Sequence, residues 1–118
     1  MALGTHGFWV HLMAQTAAGQ PADIIAARNG KTYLIDCKVC SHDYFRLDRV
    51  EENQHLAMMK WSETGNKFGW FALKLSNGDV YMVSEKSIRC VEADGLHTLT
   101  KNLILTYGFS LDEWVEIY

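Results

Sequence analysis

The dipeptide Asn29-Gly30 constrains the fold of this chain more than any other feature. It lies between two apolar runs, and Asn-Gly in that setting is the strongest short-range signal for a two-residue β-hairpin turn of type I′. Such a turn pairs Arg28 with Lys31, and every further pair of opposite residues follows by counting outward. The dipeptide therefore predicts both a hairpin and its register.

Two acidic residues and a lysine fall at the open end of this hairpin. Counting outward from the turn places Asp23 opposite Asp36. Opposite side chains of an antiparallel pair lie about 4.5–5.5 Å apart on one face of the sheet. Lys38 follows Asp36 by two residues and shares that face. The sequence thus predicts two carboxylates and an ammonium group held close together.

Two carboxylates this close destabilise the fold unless a positive charge compensates them. Mg²⁺ is a natural compensator, because it prefers oxygen ligands and is commonly held by one or two carboxylates and substrate phosphates. Lys38 would then orient or deprotonate a water, or stabilise a pentavalent phosphate. Two carboxylates, a divalent cation and a lysine are the groups that metal-assisted phosphodiester hydrolysis uses. The alternative is a surface hairpin with charges at its frayed end, but both strands read as apolar on both faces, which is typical of covered strands.

Length and composition indicate one domain spanning residues 1–118, with 48% hydrophobic residues. The sequence lacks an apolar stretch of about 18 residues, which predicts no membrane span. Three cysteines and a start without signal-peptide character favour the cytoplasm. The net charge is −3, but residues 28–74 carry eight basic against six acidic residues. A nucleic-acid face is therefore expected in the middle third of the chain.

The rest of the chain predicts an α/β (α+β) fold with a mixed sheet of about five strands. A first strand is expected over residues 7–14 and a loop over 16–21. The dipeptide Asn77-Gly78 predicts a second hairpin, which joins strands 68–75 and 80–84. A helix over 48–64 would act as a crossover that makes strands 31–38 and 69–75 parallel.

Both helices have capping signals. Asp48 and Glu51 resemble a capping box at the start of the crossover helix, and Gly65 is a natural stop. Ser110 with Glu113 caps a small C-terminal helical segment that carries Trp114 and Ile117.

Gln54 falls on the apolar stripe of the crossover helix. A buried amide needs hydrogen-bond partners. One interpretation is a core glutamine that bonds to nearby backbone. The other is a side chain that points at the acidic site, where it would help to hold a water or a phosphate.

A C-x-x-C pair and two histidines offer weaker alternatives, namely redox or zinc function and contact with the site or a phosphate. Cys37 and Cys40 form a C-x-x-C pair, but Cys37 lies in a predicted strand and a zinc site normally needs four ligands. Cys37 is expected to be a small buried filler. His11 and His42 are each able to reach the site or contact a phosphate, or to be structural or surface residues. The four tryptophans are expected in the core.

Asp23 and the Asp36-Cys37-Lys38 triplet resemble the PD-(D/E)xK nuclease superfamily. The stretch from Gly19 to Lys38 looks like Holliday-junction resolvases of the RecU type, most closely those carried by phages and prophages of low-GC Gram-positive bacteria. Residues 52–55 and 69–73 extend the resemblance, which covers roughly residues 7–85.

This resemblance implies a restriction-endonuclease-like core, dependence on Mg²⁺ or Mn²⁺, and a homodimer that cuts symmetrically across a branched DNA junction. It implies that Asp23, Asp36 and the main-chain carbonyl of Cys37 are metal ligands. It further implies that Lys38 positions the water and that Gln54 is the glutamine of the second family helix. The family's first helix carries an acidic residue that faces the metals. Only six residues, none of them acidic, precede the first predicted strand here, so that helix is not identified in this sequence.

The sequence as a whole predicts a Mg²⁺-dependent DNA endonuclease, most specifically a Holliday-junction resolvase that uses a metal-activated water. Two alternatives stay open. One is a nucleic-acid-binding protein that keeps the nuclease fold with weak or no turnover. The other is a nuclease of the same superfamily that acts on other forms of DNA or RNA.

Overall fold

The computed structural model describes residues 2–14 and 19–118. Two 3₁₀ turns, Ala2–His6 and Leu47–Arg49, accompany the regular elements. The α-helices are α1 (Glu52–Glu63), α2 (Glu85–Ala93), α3 (Lys101–Tyr107) and α4 (Leu111–Ile117). The strands are β1 (Trp9–Leu12), β2 (Ile24–Arg28), β3 (Lys31–Cys40), β4 (Phe45–Arg46), β5 (Trp70–Leu75), β6 (Val80–Ser84), β7 (Thr98–Leu99) and β8 (Phe109–Ser110).

Six strands form one mixed sheet in the order β1-β2-β3-β5-β6-β8, and β4 pairs with β7 in a separate two-stranded sheet. The predicted crossover is confirmed, because α1 connects β3 to β5 and these two strands are parallel. The two predicted hairpins are also confirmed as the antiparallel pairs β2–β3 and β5–β6. The prediction of about five strands misses β8, which adds only two residues at the edge beside β6.

The first hairpin has the predicted register. Arg28 pairs with Lys31 and Ile25 with Leu34. Asn29 and Gly30 have φ angles of 55° and 75°, as a type I′ turn requires. The second hairpin has a longer connection: the N–H of Gly78 donates to the carbonyl of Leu75, and Gly78 adopts a φ of 89°.

Both faces of the sheet are covered, which explains the apolar runs of its central strands. On one face, Leu34, Phe71 and Leu73 pack with Met58 of α1 and Ile88 of α2. The other face holds an aromatic cluster in which α4 and the first 3₁₀ turn cover the strands. Its buried members include Leu3, Tyr33, Trp70 and Trp114.

Several predicted boundaries need correction. The first strand spans Trp9–Leu12 rather than 7–14, and the predicted loop 16–21 lies partly outside the described residues. The crossover helix starts at Glu52 instead of 48, because Val50 is extended, with φ and ψ of −85° and 112°. Glu51 is therefore the N-cap. None of the described helices is both long and apolar enough to span a membrane.

One expectation about burial is also wrong. Trp9 is 62% exposed, so it does not lie in the core. Trp9 lies on the edge strand β1, whereas α4 buries Trp114 and Val115 and leaves Ile117 exposed.

Candidate active site

A polar cleft lies where β2 ends but β3 continues. The last ladder pair of β2 and β3 is Ile24 with Ile35, and β3 runs on to Cys40 without β2 beside it. The cleft has a volume of about 250 Å³. It is lined by Gly19, Gln20, Asp23, Asp36, Cys37, Lys38, Glu51 and Gln54. The structure therefore brings together all the predicted site residues.

Asp36 is the buried carboxylate of this cleft, with only 2% of the residue exposed. Its Oδ2 atom lies 3.0 Å from Nζ of Lys38, and the two side chains form an ion pair. Burial raises the pKa of Asp36 and the Asp23 carboxylate raises it further, while Lys38 acts in the opposite direction. Asp36 is thus a buried carboxylate with Lys38 as its ion-pair partner beside a second acid.

Beyond the last pair of the β2–β3 ladder, Asp23 forms two further hydrogen bonds with β3. Its main-chain N–H donates to the carbonyl of Ile35 at 3.1 Å. Its Oδ2 atom accepts from the main-chain N–H of Cys37 at 2.8 Å. In a strand, the N–H and C=O of one residue point to the same side. The Cys37 carbonyl therefore points to the edge at which Asp23 lies.

Gln54 has features of both interpretations that the sequence left open, a core glutamine bonded to backbone and a side chain at the acidic site. The residue is buried, and its Oε1 atom accepts from the main-chain N–H of Glu51 at 3.3 Å, so it does bond to nearby backbone. It also lines the cleft. Glu51 lines the cleft as well, and sequence reasoning treated it only as a helix cap. Its position three residues before Gln54 was the available signal.

The remaining candidates lie elsewhere. The expectation that Cys37 is buried is wrong, because it is exposed, whereas Cys40 is buried. Partial burial of the thiol group, reinforced by the charges of Asp23 and Asp36, nevertheless raises the pKa of Cys37 to about 11. His11 stacks on Trp9 with ring centroids 5.8 Å apart, and His42 stacks on Tyr44 at 6.1 Å. Neither histidine lines the cleft.

A larger cavity of about 530 Å³ lies between α1 and the segment around His97 and contains none of the predicted site residues. One side of it is formed by His55 of α1, which lies between two carboxylates of α2. Its Nδ1 atom is 3.1 Å from Glu85 and its Nε2 atom is 3.3 Å from Glu92. These contacts join the two helices, so we interpret the cluster as structural.

The donor set of the cleft fits a divalent cation. Asp36 is a buried carboxylate whose Oδ2 atom has Lys38 as its ion-pair partner, and Asp23 lies close enough to raise its pKa. A hard cation would remove the repulsion between the two acids. Across residues 2–14 and 19–118, no cluster of three or more His, Cys, Asp or Glu side chains has metal-binding geometry. The side chains placed closest to hold such an ion are Asp23 and Asp36.

A mixed sheet with two acids and a lysine at one strand end, beside a crossover helix, defines a nuclease of the PD-(D/E)xK class. Residues 2–117 match the family model of the archaeal Holliday junction resolvase, Hjc. The chain belongs to this family. Its function is therefore that of a structure-selective nuclease of DNA junctions, in a family that is metal-dependent in general.

Comparison with solved structures agrees on the fold. The Holliday junction resolvase Hjc from the hyperthermophilic archaeon Archaeoglobus fulgidus matches with a TM-score of 0.73 and 15% sequence identity. The match covers 97% of this chain and 91% of that one. A search of curated proteins finds no match.

Proposed function

We propose that this chain cuts four-way DNA junctions by hydrolysing a phosphodiester in the cleft formed by Asp23, Asp36 and Lys38. The observation that carries the proposal is the buried Asp36 carboxylate, which faces a second acid and has a lysine as its charge partner. Acids that repel each other at one strand end disfavour folding. Such an arrangement is typical of a functional site.

In this proposal, Asp23, Asp36 and the Cys37 main-chain carbonyl hold the cation, which we propose to be Mg²⁺ or Mn²⁺. When bound, the cation supplies Lewis acidity at the scissile phosphate and lowers the pKa of the attacking water. The hydrogen bond from the Cys37 N–H fixes one oxygen of Asp23 and so orients the carboxylate. The carbonyl of the same residue points to the same edge.

Lys38 and Gln54 act on the substrate side. Lys38 is held by Asp36 with its ammonium group at the cleft, where it positions the water and balances charge on the phosphate. The Oε1 atom of Gln54 is engaged by Glu51. Its Nε2 group is therefore the part that donates to a phosphate oxygen or to the water.

Three further parts of the sequence prediction remain proposals. The resemblance to RecU-type resolvases of phages and prophages rests on the sequence stretch from Gly19 to Lys38, whereas the family model that matches is the archaeal one. A homodimer follows from the need to cut two strands symmetrically. The cytoplasm of a bacterium or of a phage-infected host is the proposed location, because the DNA substrate lies there.

The test is cleavage of a labelled four-way junction with Mg²⁺ by three single variants. Asp36→Asn and Lys38→Met are expected to lower the rate by at least about a hundredfold, a loss of about 2.7 kcal/mol of transition-state stabilisation. Asp112→Asn is the matched control, because it removes an exposed carboxylate on α4 that does not line the cleft. Cleavage by folded Asp36→Asn at the wild-type rate would refute the proposal.

One observation favours a second function. The acids that line the cleft do not form a metal-binding cluster of three or more side chains in the part of the chain that the structure describes. A protein that binds nucleic acid without turnover fits this set. Such a protein would bind junctions and cations in the assay above without cutting any DNA.

A further inference from the structure

The free edge of β3 holds a second charged side chain beside Asp23. The N–H of Cys37 donates to Asp23, and two residues further on the carbonyl of Val39 accepts from Nη1 of Arg49 at 2.9 Å. Main-chain groups of residues i and i+2 in a strand point to the same side. Asp23 and Arg49 are therefore anchored to one edge, at two strand residues whose Cα atoms are about 6.6–6.8 Å apart.

Arg49 is held in place but its charge is not neutralised. Its guanidinium carbon lies 5.4 Å from the centroid of the Phe45 ring, one N–H donates to the carbonyl of Val39, and the guanidinium also contacts the buried thiol of Cys40. The residue is exposed. Among the described residues no carboxylate forms an ion pair with it, whereas Asp48 pairs with Arg46 and Glu85 with Arg89.

The charge of the cleft indicates a role for Arg49 in binding an anion. Asp23, Asp36 and Glu51 line the cleft against a single cation, Lys38, and this balance repels a phosphodiester backbone. Arg49 lies next to the cleft along the same edge and keeps most of its five N–H donors available. A guanidinium fixed in advance loses less entropy when it binds an anion, and its fork matches the oxygens of a phosphate.

We propose that Arg49 binds a DNA backbone phosphate beside the scissile one and so positions the strand over Asp23 and Asp36. The inference rests on the proposed function and adds a positioning residue to it. A phosphate contact carries no base information. Arg49 is therefore expected to affect affinity and register on every junction alike.

The experiment measures junction binding by Arg49→Gln in an Asp36→Asn background, so that no cleavage interferes. Glutamine retains an N–H donor for the Val39 carbonyl but removes the charge. Lys31→Gln is the matched control, because Lys31 is an exposed cation at the far end of β3, about 26 Å from Val39 at eight residues. For Arg49→Gln we expect about tenfold weaker binding, as for loss of one charged hydrogen bond. We also expect a salt dependence that is shallower by about 0.9 in log–log slope.

Three results would overturn the inference: an unchanged salt slope, an equal change in both variants, or a lower unfolding midpoint as the only effect of Arg49→Gln. Cleavage by the otherwise unchanged chain is measured in parallel. If it does not cut junctions but Arg49→Gln still reduces the salt slope, the proposed hydrolysis fails and the phosphate contact stands. If it cuts junctions and the slope does not change, only the Arg49 inference fails.

Discussion

At the residue scale, the burial of Asp36 beside a second acid suits it to bind a cation but lowers the stability of the folded protein. Burial, followed by the Asp23 charge, raises its pKa above the unfolded value despite Lys38. Between the unfolded and folded pKa values the folded state binds more protons, so stability falls as pH rises through this window. Ionisation of Asp36 therefore works against folding, and cation binding offsets it.

This conflict predicts the behaviour of Asp36→Asn. The variant should unfold at a higher temperature than wild type at pH 7 in the presence of a chelator, because it lacks the unfavourable buried charge. Added Mn²⁺ should raise the midpoint of wild type but leave the variant unchanged, since a ligand stabilises only the state that binds it. Thermal unfolding checks both statements. A variant less stable than wild type in chelator would contradict the charge argument.

At the scale of elements, the position of α1 depends on a glycine at the entry to β5. A Cβ atom on Gly69 would lie 2.3 Å from Cγ and 2.6 Å from Cβ of Met58. Gly69→Ala should therefore destabilise the protein by about 1–3 kcal/mol, as overpacking does. Gly4→Ala is the control, because a Cβ there meets no atom within 4 Å. Urea unfolding measures the free energy of unfolding of both variants. Equal values would show that α1 shifts to accommodate the added methyl group without loss of stability.

The contact between α1 and α2 should depend on pH through His55. Its hydrogen bond with Glu85 and the nearby Glu92 raise the pKa of His55, against burial and Arg89. The stabilisation is fully present below the unfolded pKa, about 6.5, and is lost as pH rises through the higher folded value. Wild type should lose on the order of 1 kcal/mol relative to His55→Gln between pH 6 and pH 9. Unfolding free energies at both pH values test this, and a pH-independent difference would exclude the charged contact.

Elements fixed by local chemistry were predictable from the sequence, whereas those fixed by tertiary packing were not. The Asn29-Gly30 turn determines its own register, and that register located Asp23 beside Asp36. The two-residue strand β8 has no sequence signal of its own, because its pairing with β6 depends on where α3 ends. The start of α1 was misplaced, since a capping pattern fits Asp48 as well as Glu51. The roles of the cleft residues remain predictions.

At the scale of the whole molecule, the family points to a DNA junction as the substrate. A single cleft cuts one strand at a time, so symmetric cleavage needs two copies. We expect a mass of two chains, about 27 kDa for a 13.4 kDa subunit, by light scattering at micromolar concentration. A monomer that still makes paired cuts would contradict this expectation.

The most direct measurement is cleavage of a synthetic four-way junction with Mg²⁺, with each strand labelled in turn, beside a linear duplex of the same arms. We expect paired nicks at symmetric positions in the junction, little cleavage of the duplex, and loss of both nicks in Asp36→Asn. Equal cleavage of junction and duplex would contradict junction selectivity. Absence of cleavage by the folded protein with bound cation would contradict the central claim that the Asp23–Asp36–Lys38 cleft is a nuclease active site.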